Sequence, residues 1–199
     1  MNIPVTVYAE MTPNPTTMKF VANKHLLSMG DSAEFQSMGQ AKGYSPLAEE
    51  LFRLPFVQGV FIASNFVTVT KTDNLSWDFI TMDLREFIRT WLMEGKEVLI
   101  QMPPKQALAT EESDKVIREY APSEYDDAIR DLLDEYVRPA VEGDGGAIDF
   151  RGFEDGIVTV VLRGSCAGCP SSTATLKGGI ERLLKQHLPD VQEVVAENE

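Results

Sequence analysis

The chain has 199 residues, 43% of them hydrophobic and 25% charged, the balance of a soluble globular protein with room for two small domains. No apolar run approaches the roughly 20 residues that span a bilayer, so no membrane role is expected. The formal net charge is −13, and residues 123–199, with 7 basic against 16 acidic side chains, carry −9 of it. Such a surface repels phosphate backbones and argues against nucleic acid as a partner; it suits basic protein partners and, equally, plain solubility.

The first expected domain covers residues 1–102. Ile3, Val5 and Val7 alternate as a half-buried strand requires, and Met18, Phe20 and Ala22 resume the alternation after a turn-rich loop, Met11 to Thr17. Ser45-Pro46 predicts a helix start, with proline in the first turn, leading to Leu47 and Leu51. Val60–Ile62 and Phe66–Val69 flank Ala63-Ser64-Asn65, a hairpin signal. Leu84, Phe87, Ile88, Trp91 and Leu92 give one apolar helical face closed by Gly95. Val98–Ile100 reads as a last short strand. Residues 103–122 read as a linker, opened by Pro103-Pro104 and closed by Ala121-Pro122.

The second expected domain covers residues 123–199. Ser123 with Asp126 resembles a capping box, and Ile129, Leu132, Leu133, Tyr136 and Val137 share a helical face that Pro139 should end. Gly143-Asp144-Gly145-Gly146 is a tight turn. Ala147–Phe153 and Ile157–Leu162 are strands joined by Glu154-Asp155-Gly156. Leu176, Ile180, Leu183, Leu184 and Leu188 make a second amphipathic helix, and Val191–Val195 closes as a strand. The fold class expected is α/β (α+β): two small domains, the C-terminal one a three-stranded sheet with helices on one face.

The only two cysteines stand in Cys166-Ala167-Gly168-Cys169. One bridge across two residues would constrain almost no chain, so a disulfide framework is excluded and the chemistry is local. Two intervening small residues let both sulfurs face one metal centre and leave backbone amides to donate to them. The pair follows a strand and precedes a helix that Pro170 suits, whose N-terminal partial charge favours thiolates. Ser165, Ser171, Ser172 and Thr173 are near enough to bond sulfur, though capping explains them as well.

Three readings share this motif: a metal or cluster site, a thiol–disulfide redox pair, and structural cysteines in an interaction module. A zinc ion or an ordinary cluster takes about four ligands. His25 lies in the other domain and His187 is roughly 27 Å along the helix from Cys169 by helix rise. A closed site then needs two chains, each giving two sulfurs across a two-fold axis, and such a site is exposed and suited to transfer. Against the redox reading, only about 30 residues follow the motif, too few for the remainder of a thioredoxin-like fold. Asp144 and Lys177 could tune the site, but a turn aspartate and a solvated lysine explain them too. There is no Ser/His/Asp set and no phosphate loop on a strand.

The run Gly164-Ser165-Cys166-Ala167-Gly168-Cys169-Pro170-Ser171-Ser172, followed by Thr175-Leu176-Lys177-Gly178-Gly179-Ile180-Glu181, resembles the C-terminal domain of the NifU-like (Nfu) family of iron–sulfur scaffold and carrier proteins. Arg138-Pro139 and Asp144-Gly145-Gly146 also sit where that family has them, while Ala147 departs from the acidic or amide residue expected there. Thr12-Pro13-Asn14-Pro15, Met18-Lys19-Phe20, Ser45-Pro46-Leu47-Ala48 and the helix around Trp91 resemble the Nfu N-terminal domain. The resemblance implies a [4Fe–4S] cluster shared between two chains, with Cys166 and Cys169 as ligands. It implies a homodimer when loaded, apo iron–sulfur client proteins and upstream assembly proteins as partners, and no catalytic residues: the chain is not expected to be an enzyme. With no basic, apolar or Arg-rich leader at Met1-Asn2-Ile3-Pro4, the location expected is cytoplasmic, or that of the mature form of an organellar protein.

Overall fold

The computed structural model describes residues 4–28, 30–104, 120–167 and 170–198. The chain divides into two compact units, Met1–Leu108 and Ala109–Glu199. Most of the expected linker, 103–122, lies outside the described residues.

In the first unit β1 (Val7–Met11), β2 (Thr17–Ala22), β3 (Ser32–Phe35), β4 (Val57–Ala63) and β5 (Phe66–Lys71) form one antiparallel sheet in the order β1-β2-β5-β4-β3. Strand alternation puts Met18, Phe20, Val60, Ile62, Val67 and Val69 in one core with Leu47 and Leu51 of α2 (Pro46–Leu51) and with α3 (Trp77–Met93). α3 gives that core Ile80, Leu84, Ile88 and Leu92, and Phe87 and Trp91 pack at its margin. The helix begins at Trp77, a full turn and more before the periodic run, because the Ser76 hydroxyl caps it by accepting from the Asp78 N–H at 3.4 Å. Gly95 ends it in the left-handed region (φ +69°). The Ser45 start of α2 is present too: its Oγ accepts from the Ala48 N–H at 3.1 Å.

Two expectations in this unit need correction, and two elements were not foreseen. β1 runs from Val7 to Met11, with ladder partners Ala22 to Met18, and the expected strand residue Val5 precedes it, while Ile3 lies outside the described residues. β3 and the one-turn α1 (Met38–Ala41) have no counterpart in the sequence reading. Val98–Ile100 is not a strand: the Val98 carbonyl accepts from Ser45 Oγ at 2.6 Å and the Ile100 N–H donates to the Tyr44 carbonyl, so its backbone is bound to the start of α2 instead.

In the second unit α4 (Asp126–Leu132), a π turn (Leu133–Val137) and α5 (Arg138–Gly143) make one continuous helical stretch. The expected stop at Pro139 does not occur. A proline ring clashes with the carbonyl four residues back and supplies no N–H. Here the preceding turn is widened, with the Arg138 N–H reaching the Leu133 carbonyl, and the helix absorbs the proline. The capping box is also altered: Ser123 Oγ accepts from the Tyr125 N–H, and no side chain caps α4.

β6 (Gly146–Glu154) and β7 (Ile157–Gly164) form the expected hairpin, with Asp155 (φ +51°) and Gly156 (φ +81°) at its tip. β8 (Glu193–Asn198) pairs parallel to β7 after α6 (Pro170–His187), so the sheet order is β6-β7-β8. Ile148, Val158, Val160, Leu162 and Val194 on one sheet face pack with Ile129, Leu133, Val137 and Val141 of the first helical stretch and with Ile180 and Leu184 of α6. The fold is thus mixed α and β with two sheets, and its C-terminal part is a three-stranded sheet plus helices. Among the described residues no helix is long and apolar enough to cross a membrane.

Candidate functional site

Cys166 lies just past the end of β7, on the loop that leads to α6. Gly146 and Gly164 are register partners at the first and last positions of the β6–β7 ladder. The turn before β6 and the loop after β7 therefore meet at one end of the sheet. The meeting is close: a Cβ on Gly146 would stand 2.8 Å from Cys166 Sγ and 2.5 Å from the Arg163 carbonyl oxygen. The second glycine of Asp144-Gly145-Gly146 is there to make room for the cysteine. The first takes φ +83°, which turns the chain out of α5.

Ser165 fastens the two segments. Its N–H donates to the Gly145 carbonyl at 3.3 Å, and its hydroxyl donates to the Asp144 carbonyl while lying 3.9 Å from Cys166 Sγ. On the other side, Thr173 in the first turn of α6 donates from Oγ1 to the Cys166 carbonyl at 3.2 Å. The Ala167 N–H returns to the Gly164 carbonyl at 3.1 Å, closing a tight turn around the cysteine. The result differs from the exposed site expected from the spacing: Cys166 is only 5% exposed and belongs to the apolar cluster of this unit. The strand–loop–helix setting holds, with α6 beginning at Pro170.

Gly168 and Cys169 lie outside the described residues, as do the side chains of Ser171 and Ser172. His187 stacks on Tyr136, ring centroids 6.2 Å apart, at the far end of α6. His25 is exposed in the other unit. Lys177 pairs with Glu193 of β8 at 3.2 Å. Asp144 acts through its backbone, as the last cap of α5 and the acceptor of the Ser165 hydroxyl. Trp77 and Trp91 are packing residues, each also donating from Nε1, to the Pro15 and Glu97 carbonyls respectively. Among the described residues, no three His, Cys, Asp or Glu side chains gather into a metal site. Farther along α6, the Glu181 carboxyl is held below its ordinary range, first by the hydrogen bond from Lys185 and then by the Val194 N–H, which ties α6 to β8.

Sequence reasoning did not single out Gly146 or the fastening role of Ser165. The available signal was the doubled glycine, since a turn needs only one residue at positive φ.

Residues 7–95 match the family described as "Scaffold protein Nfu/NifU N terminal", and residues 129–195 match the "NifU-like domain". The chain is 36% identical over 189 residues to the human NFU1 iron-sulfur cluster scaffold homolog, a mitochondrial protein, covering 94% of this chain and 70% of the human one. It is 38% identical over 193 residues to the mitochondrial NifU-like protein 4 of Arabidopsis thaliana, covering 96% of this chain and 65% of that one. A solution structure of a NifU-like protein from Saccharomyces cerevisiae aligns with a TM-score of 0.46 at 23% identity, over 51% of this chain and 91% of that one. The mitochondrial relatives overturn the cytoplasmic expectation. The residues Met1-Asn2-Ile3-Pro4, from which that expectation was drawn, do not decide the compartment. Matched in both halves and along most of its length, the chain belongs to the Nfu/NifU-like scaffold family.

Proposed function

We propose that the chain takes up an iron–sulfur cluster as cargo and passes it to apo-proteins, and that Cys166 and Cys169 of two copies hold it as a shared [4Fe–4S] cluster. No catalysed reaction is part of this reading. The observation that carries it is the C-x-x-C loop between β7 and α6. Two sulfurs per chain make half of a four-thiolate set, and the 18-residue α6 directs its N-terminal partial charge toward the loop. The relatives named as iron-sulfur cluster scaffolds support the same role. In this reading residues 123–199 are the cluster-binding domain. Residues 103–122 are a linker. Residues 1–102, which present no comparable thiol chemistry, select clients and meet upstream assembly proteins.

Anaerobic reconstitution with iron and sulfide tests it, followed by absorption and Mössbauer spectra, metal count and native mass. The expected result is about two irons and two sulfides per chain in a dimer, with Cys166→Ala and Cys169→Ala each losing both the cluster and the cluster-dependent dimer. Normal loading of either variant would refute the ligand assignment. A colourless monomer that cycles between dithiol and disulfide would replace it with a redox role.

A further inference from the structure

A sulfur that must meet a second chain is, at Cys166, almost entirely enclosed. We propose that Ser165 is a positioning residue that keeps Cys166 in an occluded resting place, and that ligation requires the Asp144–Gly146 segment to part from it. The proposal rests on the cluster-carrying reading above, because only a ligand needs to be uncovered.

Two observations carry it. The cover leaves no room beside the thiol: the space where a Gly146 side chain would stand is bounded by Cys166 Sγ and Cβ and by the Arg163 carbonyl. Ser165 also fastens the cover from the β7 side. Ser165 is 3% exposed, and its hydroxyl and N–H donate to the consecutive carbonyls of Asp144 and Gly145. The segment is short: it follows α5, to whose Ala140 and Glu142 carbonyls the Asp144 and Gly145 N–H groups donate, and it ends on Gly146, the first residue of β6 and the terminal ladder partner of Gly164. Its two glycines give it the backbone freedom to part from Cys166 by fraying the terminal Gly146–Gly164 pair while the rest of the ladder stays closed. The fastening is weak enough to open, since a single hydrogen bond shifts an equilibrium by a factor of about two to ten.

Thiol accessibility tests this in the full-length reduced chain, with Cys169→Ser so that alkylation by iodoacetamide reports Cys166 alone. In native buffer Cys166 should react about a hundredfold or more slowly than in high urea. Its rate should rise only shallowly with low urea, as for a local opening rather than global unfolding. Ser165→Ala should speed the native reaction by about two- to tenfold and keep the shallow urea dependence. In chains that retain Cys169, it should speed initial iron and sulfide uptake by a similar factor. Gly146→Ala, which forces a methyl group against Sγ, should speed alkylation further. If that variant does not fold, the Ser165 comparison decides alone.

Native alkylation as fast as in urea would overturn the occlusion. So would a steep urea dependence, which would mean the thiol is reached only by unfolding. An unchanged rate in Ser165→Ala would overturn the role of Ser165. A chain that shows the occlusion but never takes up iron and sulfide would instead refute the cluster reading, so the two failures are distinguishable.

Discussion

Replacing Leu184 by alanine probes how firmly α6, and with it the cysteine loop, is held to its sheet. Leu184 is 0% exposed and packs in the cluster formed by Ile148, Val160, Leu162, Ile180 and Cys166. Truncating a buried leucine costs about 2–5 kcal/mol, set by how far the surroundings can collapse into the gap. Collapse is restricted here. The N-terminal turn of α6 is tied to the Cys166 carbonyl through Thr173, and Glu181 ties its middle to the Val194 N–H. The upper half of that range is therefore expected, about 3–5 kcal/mol. With a urea slope of about 1–3 kcal/mol per molar, the midpoint should fall by at least about 1 M. The assay is urea unfolding followed by far-ultraviolet circular dichroism. The control is Gln186→Ala, two residues on and exposed, which should stay within about 0.5 kcal/mol of the parent. A Leu184 variant that unfolds at the same urea concentration as the Gln186 variant would refute the packing described for α6.

Two further outcomes are expected. The Glu181 carboxyl is depressed below its ordinary 4.5 chiefly by the Lys185 hydrogen bond. It therefore adds stability above that pH and loses the contribution as pH falls below it, so Glu181→Gln should flatten the acid limb of a stability–pH profile and leave its neutral limb's shape unchanged. Trp77→Phe keeps a ring beside Lys71 but removes the 2.9 Å donation from Nε1 to the Pro15 carbonyl. It should destabilise the first unit by about 0.5–1.5 kcal/mol, read as a lowered thermal midpoint, and no loss at all would mean the Thr12–Thr17 loop does not depend on that bond.

What the sequence made legible were elements that carry their own period. α3, the β4–β5 hairpin and the β6–β7 hairpin each contain enough apolar repeats and turn residues to specify themselves. β3 holds only two buried side chains, Ala33 and Phe35, and becomes a strand through its ladder with β4. Val98–Ile100 fails in the opposite way, having strand-like residues whose backbone partners are Tyr44 and Ser45 rather than a neighbouring strand. Pro139 misleads because its local cost is absorbed by a π turn that has no sequence signature of its own. At the candidate site, the cysteine motif and the helix after it were visible in the spacing. The burial of Cys166 was not, because Gly146, which lies against it, comes twenty residues earlier and is brought there by the pairing of β6 with β7.

The parallel pairing of β7 with β8 sets the order in which the thiol gains its shelter during synthesis. The β6–β7 hairpin is local and can close as soon as the chain has emerged through Gly164. The wall against α6 must wait, because the crossover is anchored only when Glu193–Asn198 is available to lie along β7. Until then, β7 is a bare sheet edge and the cysteine beside it stands uncovered on the α6 side. A chain cut short before Glu193 would therefore keep the β6–β7 hairpin but leave β7 as an unpaired edge beside the cysteine.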